Sequence, residues 1–86
     1  MTPGQKTRLE MLAASRQRLC GAWRRWNEEQ GHDPDQPTED RLLECYQYLE
    51  QSDPSLLRSL AALANNDDWW KVFRGQLARV GYAAAD

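Results

Sequence analysis

Apolar residues recur at helical spacing along the first third of the chain. Within the stretch from Gln5 to Gln30 they lie three, four or seven positions apart, at Leu9, Leu12, Leu19, Trp23 and Trp26. Such a repeat forms a single apolar stripe along a helix of 3.6 residues per turn. A helix of this stretch is about 39 Å long, roughly twice the length that any later segment supports. The pattern therefore predicts one long helix with shorter helices folded against it.

Turn and capping residues divide the rest of the chain into shorter helical patterns. After the turn-rich linker HDPDQP, Thr38 is a favourable N-cap for a second helix over residues 38–51. Asp53 as the cap and Pro54 in the first turn then predict a third helix over residues 53–65. This third segment is apolar over nearly half its circumference, which is typical of a helix at the centre of a bundle or one covered by another chain.

A fourth helix is predicted over residues 67–80, because Asn and Asp residues precede it and Gly81 follows it. The tail, 81–86, is expected to fray. Isoleucine is absent and the β-branched apolar content is low, which argues against a sheet. The predicted fold is therefore all-α, a small four-helix bundle whose long first helix covers residues 3–30. A chain of this length forms a single domain, 1–86.

The net charge of −2 conceals an uneven distribution along the chain. Residues 1–26 carry six basic residues and one acidic residue, whereas residues 27–68 carry eleven acidic and two basic residues. This split predicts either that the basic first helix lies against the acidic middle or that a charged face serves a partner. We favour internal pairing, with the charged face as the alternative.

Two residues of the first helix depart from its pattern. Arg16 falls inside the apolar stripe, where a guanidinium must reach solvent or a carboxylate. Glu44, Glu50 or an acid of the linker is the expected partner. Gly21 interrupts the helix, which indicates a mild bend or the close approach of a neighbouring helix.

Few residues in the chain are suited to catalysis, metal binding or membrane insertion. Cys20 and Cys45 form no CxxC motif, so reduced thiols in a cytoplasm are expected. The single histidine, His32, lies in a surface turn with no marked nucleophile to serve. No apolar run approaches the roughly 18–20 residues of a membrane span, and no signal-peptide core is visible. The sequence thus predicts a cytoplasmic protein that is not an enzyme and needs no cofactor or metal.

The cluster Trp23-Arg24-Arg25-Trp26 supports an alternative function. Basic residues interleaved with aromatic ones are typical of nucleic-acid binding. Trp23 and Trp26 share the apolar stripe, however, and are expected in the core. A nucleic-acid-binding protein would then use Arg18, Arg24 and Arg25. The acidic balance of the whole chain argues against this alternative.

The favoured function is a protein-binding module, such as a small regulator, adaptor or inhibitor. Arginine outnumbers lysine nine to two, which indicates a GC-rich coding sequence and hence a bacterial, phage or mobile-element origin. Trp69 and Trp70 diverge by about 100° on a helix, so one of them is expected to be partly exposed and available to a partner.

Acidic and aromatic residues would suit a partner with a basic surface. The candidate partner-binding residues are Asp33, Asp35, Glu39, Asp40, Tyr48, Asp67, Asp68 and Trp70. A second alternative to this function is a structural homo-oligomer joined through the third helix.

Overall fold

The computed structural model describes the backbone of residues 3–83 and the side chains of residues 7–83. Its helices are α1 (Pro3–Gln30), α2 (Glu39–Ser52), α3 (Pro54–Ala64) and α4 (Trp69–Arg79). No strand occurs within the described residues, and the predicted all-α bundle with a long first helix is confirmed. At 1.5 Å per residue α1 is about 42 Å long, which matches the 43 Å longest dimension of the molecule. The three shorter helices pack along it.

The apolar helix α3 lies at the centre of the bundle. It contacts all three other helices, whereas α1 and α2 make the weakest contact. Leu56, Leu57 and Leu60 are each at most 1% exposed. Burial within the single chain is therefore sufficient to explain why α3 carries so many leucines.

Helix α3 runs antiparallel to α1. The guanidinium of Arg8 donates to the carbonyl of Leu63 at 3.0 Å, and Arg18 pairs with Asp53 at the other end of α3. With eleven residues, α3 covers only about 16 Å of α1. Leu9 was predicted to belong to the core stripe but is 54% exposed. That prediction is wrong: Leu9 lies within the stretch of α1, from Arg8 to Arg18, that α3 spans, but its side chain is left largely uncovered.

The second half of α1 supplies the largest side chains of the core. Trp23 is fully buried and Trp26 nearly so, as predicted from their place on the stripe. The indole of Trp23 donates to the carbonyl of Pro34 at 2.9 Å, which fixes the linker after α1. The rest of the core consists of Leu19, Leu42, Cys45, Leu49, Leu56, Leu57, Leu60, Val72, Phe73, Leu77 and Tyr82.

Helices α1, α3 and α4 end in the same hydrogen-bonded turn, the Schellman motif. The turns contain Gly31, Asn65 and Gly81, whose φ angles are 75°, 54° and 96°. After α1, the N–H of His32 donates to the carbonyl of Asn27 at 2.8 Å, which closes the six-residue loop of the motif. Gly31 and Gly81 were predicted to close their helices, and both do.

Thr38 caps α2 as predicted, and Asp68 caps α4. Each accepts a hydrogen bond from the backbone N–H three residues later. Because Asp68 is the cap, α4 begins at Trp69, two residues later than predicted. Asp53 is the N-cap residue of α3 and Pro54 lies in the first turn, as predicted, but the Asp53 side chain makes no capping hydrogen bond. Its carboxylate accepts a hydrogen bond from the Ser55 hydroxyl at 2.7 Å and pairs with Arg18.

The tail does not fray immediately after α4. Tyr82 is only 4% exposed, and its ring centroid lies 6.1 Å from that of Trp23. The guanidinium of Arg24 covers the same ring, 5.3 Å from its centroid. The tail is therefore docked as far as Tyr82, since an aromatic ring buries enough surface to hold it. Residues 84–86 lie outside the described residues.

At two further positions of α1 the structure corrects the sequence predictions: the partner of Arg16 is a different one, and one of the two roles offered for Gly21 is excluded. Arg16 donates to the side-chain carbonyl of Gln76 at 2.8 Å, so its partner is an amide of α4 and not a carboxylate of α2 or the linker. The reason is that α4 packs beside this part of α1, and Gln76 is buried there. A Cβ at Gly21 would meet nothing within 4 Å. Gly21 therefore does not serve a close approach between helices.

Candidate functional site

The split charge of the chain is compensated within the molecule. Arg18 pairs with Asp53 and Arg24 with Asp35, each at 3.4 Å, so the basic first helix does lie against acids of the middle segment. These pairs are exposed, so each contributes little to stability. They nevertheless neutralise part of the surface charge that a partner would encounter.

The acids of the linker and of the first turn of α2 take part in local interactions. Asp33 accepts a hydrogen bond from the backbone N–H of Asp35 at 2.9 Å and so shapes the turn. Asp35 itself pairs with Arg24. Asp40 is exposed in the first turn of α2, where a carboxylate favours the helix N-terminus. Each of these acids thus has a local structural role.

Three aromatic rings of α2 and α4 pack together on one side of the bundle. Tyr46 meets Trp70 and Phe73 edge-on, with ring centroids 5.3 and 5.6 Å apart, and Trp70 stacks on Phe73 at 5.9 Å. Phe73 is fully buried, while Tyr46 and Trp70 remain partly exposed. We call the surface of Tyr46 and Trp70, with the charged groups beside it, the α2–α4 aromatic face.

Four charged side chains border the α2–α4 aromatic face: Glu39, Glu50, Asp68 and Arg74. The guanidinium of Arg74 lies 5.5 Å from the centroid of the Trp70 ring and pairs with Glu39. Burial, followed by the nearby charges of Glu50 and Asp68, raises the pKa of the Tyr46 hydroxyl. The face therefore combines two accessible rings with three carboxylates, of which Glu39 is already paired.

The structure brings together three of the residues that the sequence predicted: Glu39, Asp68 and Trp70. It adds Tyr46 and Glu50. Sequence reasoning placed Tyr46 in the core and offered Glu50 as a possible partner of Arg16. The sequence does indicate that these two residues lie together, because residues four apart on a helix are neighbours on its surface. What the sequence lacked was the pairing of α2 with α4.

The other candidate residues lie apart from this face. Tyr48 points away from Tyr46 by about 160° on α2. It lines a cleft of about 210 Å³ with Arg25, Glu29 and Asp53. Asp67 is exposed in the turn before α4 and makes no hydrogen bond or ion pair within the described residues.

Two of the three arginines of the nucleic-acid alternative share one surface. Arg18 and Arg25 line the same cleft between α1 and the start of α3, together with Asp53. Arg24 instead faces the linker and the docked tail through Asp35 and Tyr82. Two of the three guanidiniums thus already have carboxylate partners, which weakens their attraction for phosphates.

Both cysteine thiols are free, and neither belongs to a possible metal site among the described residues. Cys45 is fully buried, and this burial raises the pKa of its thiol to about 12. Cys20 is partly buried on α1. Within residues 7–83, no three His, Cys, Asp or Glu side chains come close enough to hold a metal ion. No helix among the described residues is long and apolar enough to cross a membrane.

One buried side-chain oxygen of α1 has no hydrogen-bond partner among the described residues. The side-chain oxygen of Asn27 accepts no hydrogen bond, although the amide nitrogen donates to the carbonyl of Trp23 at 2.8 Å. Asn27 is 1% exposed, so solvent barely reaches it. It therefore offers no access to a ligand.

Comparison with known proteins finds no relative of this chain: no family model, characterised sequence or solved structure matches it.

Proposed function

We propose that this chain is a non-enzymatic, cytoplasmic protein-binding module that engages a partner through the α2–α4 aromatic face. The observation that carries the proposal is the partly exposed Trp70, held beside Tyr46 and bordered by Glu50 and Asp68. Tryptophan and tyrosine are the residues most enriched in the energetic centre of protein interfaces. Their neighbouring carboxylates favour a partner surface that carries arginine or lysine.

The rigidity of the face favours binding. Its rings project from two helices and rest on the buried Phe73. Side chains that are already ordered lose little conformational entropy when a partner binds. The same rings would therefore contribute more affinity here than on a mobile loop.

Arg74 indicates which chemical group the face accommodates. Its guanidinium lies over the Trp70 ring while pairing with Glu39. Guanidinium groups stack on aromatic faces and bind carboxylates at the same time. A partner arginine would stack on Tyr46 and pair with Glu50 or Asp68 in the same way, next to the intramolecular contact of Arg74 with Trp70 and Glu39.

The test is capture from a nuclease-treated lysate of the source organism, followed by quantitative mass spectrometry and titration of any purified partner. Two variants alter the face, Trp70→Leu and Glu50→Lys. Two matched variants make the same changes elsewhere on the surface, Tyr48→Leu and Glu28→Lys. We expect the first pair to weaken the partner's affinity by about tenfold or more, with the matched pair binding as the natural protein does.

Circular dichroism establishes that all four variants fold. A partner retained equally by the face variants and their controls would contradict the proposal. Recovery only of material that nuclease removes would favour the arginines of α1 instead.

A further inference from the structure

An apolar groove of about 430 Å³ lies between the first half of α1 and α3, away from the α2–α4 aromatic face. Its lining is mainly apolar, with Met11 and Leu63 as the large side chains and Ala14 and Ala62 as small ones. Met11 is 53% exposed, and Leu9 on the next part of α1 is equally open. We call this site the α1–α3 groove.

Arginines mark both ends of the α1–α3 groove. At one end Arg8 donates to the carbonyls of Leu63 and Ala62, at 3.0 and 3.5 Å. At the other end Arg18 lines the groove itself and is 56% exposed despite its pairing with Asp53. Ten residues of α1 separate the two arginines, a distance of about 15 Å along the helix.

The elements that form the groove are basic as a whole. Up to Trp26, α1 has six basic residues against Glu10 as its only acid, and Arg58 is the only charged residue of α3. Even with Arg18 and Asp53 neutralising each other, Lys6, Arg8, Arg16 and Arg58 outnumber Glu10 on α3 and on α1 as far as Arg18, so the net charge of these elements is positive. A ligand that fits must therefore be apolar at its centre and acidic at its ends.

We infer that the α1–α3 groove binds an acidic amphipathic helix of a partner protein. Helices bind to grooves of this kind through apolar residues spaced three, four and seven positions apart. Carboxylates ten or eleven positions apart on the ligand would reach Arg8 and Arg18, because that spacing also spans about 15 Å. Met11 suits such a ligand, since methionine adapts its shape to different apolar surfaces.

This site is independent of the function proposed above, because it lies on other helices and has the opposite charge. A second copy of the chain is a poorer occupant. A two-fold contact through the groove would place the arginines of both copies together, and like charges across an interface oppose association.

The probe is a fluorescein-labelled helical peptide of about five turns, with a leucine stripe and glutamates eleven positions apart. Fluorescence anisotropy measures its binding to the full chain. Ala62→Glu places bulk and negative charge in the groove at an exposed helical position, and Ala13→Glu makes the same change at an exposed alanine outside it. We expect Ala62→Glu to weaken binding by about tenfold or more, and Ala13→Glu and Trp70→Leu to leave it unchanged.

A peptide with lysines in place of the glutamates should bind at least about tenfold more weakly. In the natural protein, the methyl resonance of Met11 should shift as the glutamate peptide is added. Equal binding of the two peptides, or equal affinity of Ala62→Glu and Ala13→Glu, overturns the inference. Two further results would also overturn it: a dimer in light scattering, or binding to anionic vesicles, if Ala62→Glu abolishes that dimer or that binding. Either result would show that the groove has another occupant.

Discussion

Cys45 and Tyr46 are consecutive in α2, yet they have different environments. Cys45 is fully buried in the core, while Tyr46 lies at the edge of the core with part of its ring exposed. A rotation of about 100° between adjacent helical residues produces this difference. In both cases burial raises the side-chain pKa, which reaches about 12 for Cys45.

The raised pKa of Cys45 predicts a loss of stability at alkaline pH. The thiol ionises near pH 9 in the unfolded chain but only near 12 in the folded protein. The folded state is therefore fully stabilised below about pH 9 and loses stability as the pH rises towards 12, by up to roughly 4 kcal/mol. Denaturant titrations at a series of pH values measure the free energy of unfolding.

Cys45→Ala provides the comparison for that measurement. Tyr46 and Tyr82, whose pKa values are also raised, destabilise the natural protein and the variant equally at high pH. The difference between the two proteins therefore isolates the thiol. Parallel stability curves between pH 9 and 11 would show that Cys45 does not titrate as its burial requires.

Helix α1 contains Gly21, whose helical conformation does not require glycine, and ends at Gly31, whose left-handed conformation favours glycine. Gly21 has a helical conformation, and a Cβ there would meet nothing within 4 Å. Gly31 has a φ angle of 75°, which residues with a Cβ adopt only at a cost. The same substitution is therefore expected to have opposite effects at the two sites.

We expect Gly21→Ala to raise the free energy of unfolding by about 0.5–1 kcal/mol, since alanine favours the helix. Gly31→Ala should lower it by about 1–2 kcal/mol, because the Schellman turn holds the residue in the left-handed region. Thermal and denaturant unfolding of the two variants measures both values. A stabilising Gly31→Ala would mean that α1 does not end in this turn.

At the scale of the element, the sequence predicted most helix ends because their signals are local. Thr38, Gly31 and Gly81 act through hydrogen bonds within a few residues of themselves. Asp53 also begins α3 as predicted, although its carboxylate binds the Ser55 hydroxyl and Arg18 and not a backbone N–H of the helix. The helix thus begins where the local residues predict, while the side-chain hydrogen bond of the cap differs.

At the scale of the whole molecule, stability depends on the contacts that α3 makes with the other helices. Leu60 is fully buried in α3, whereas Leu43 is 45% exposed on α2. We expect Leu60→Ala to cost about 2–5 kcal/mol, and Leu43→Ala less than about 1 kcal/mol. A domain of this size has only about 4–13 kcal/mol of stability in all.

Thermal unfolding followed by circular dichroism compares these two leucine variants with the natural protein. The expected result is a large fall in Tm for Leu60→Ala and a small one for Leu43→Ala. Equal falls would indicate that α3 is not at the centre of the bundle.

The candidate sites were only partly predictable. Trp70 was identified from the divergence of two adjacent tryptophans on a helix, and Asp68 and Glu39 from the acidic residues around them. Both are properties of one segment at a time. Their arrangement around Tyr46 depends on α2 and α4 lying side by side. The separation of Tyr48 from Tyr46 follows from helical phase, whereas the α1–α3 groove does not, because it depends on which helix lies next to which.

By itself the sequence determined the all-α class, the four helices, most of their ends and the burial of Trp23 and Trp26. These follow from the spacing of apolar residues and from local hydrogen bonds, which act within a few turns of the chain. Only the tertiary structure decided that Arg16 binds Gln76, that Tyr82 is docked, and that Leu9 is left uncovered. Those outcomes depend on the relative positions of packed helices, which a pattern along one helix does not contain.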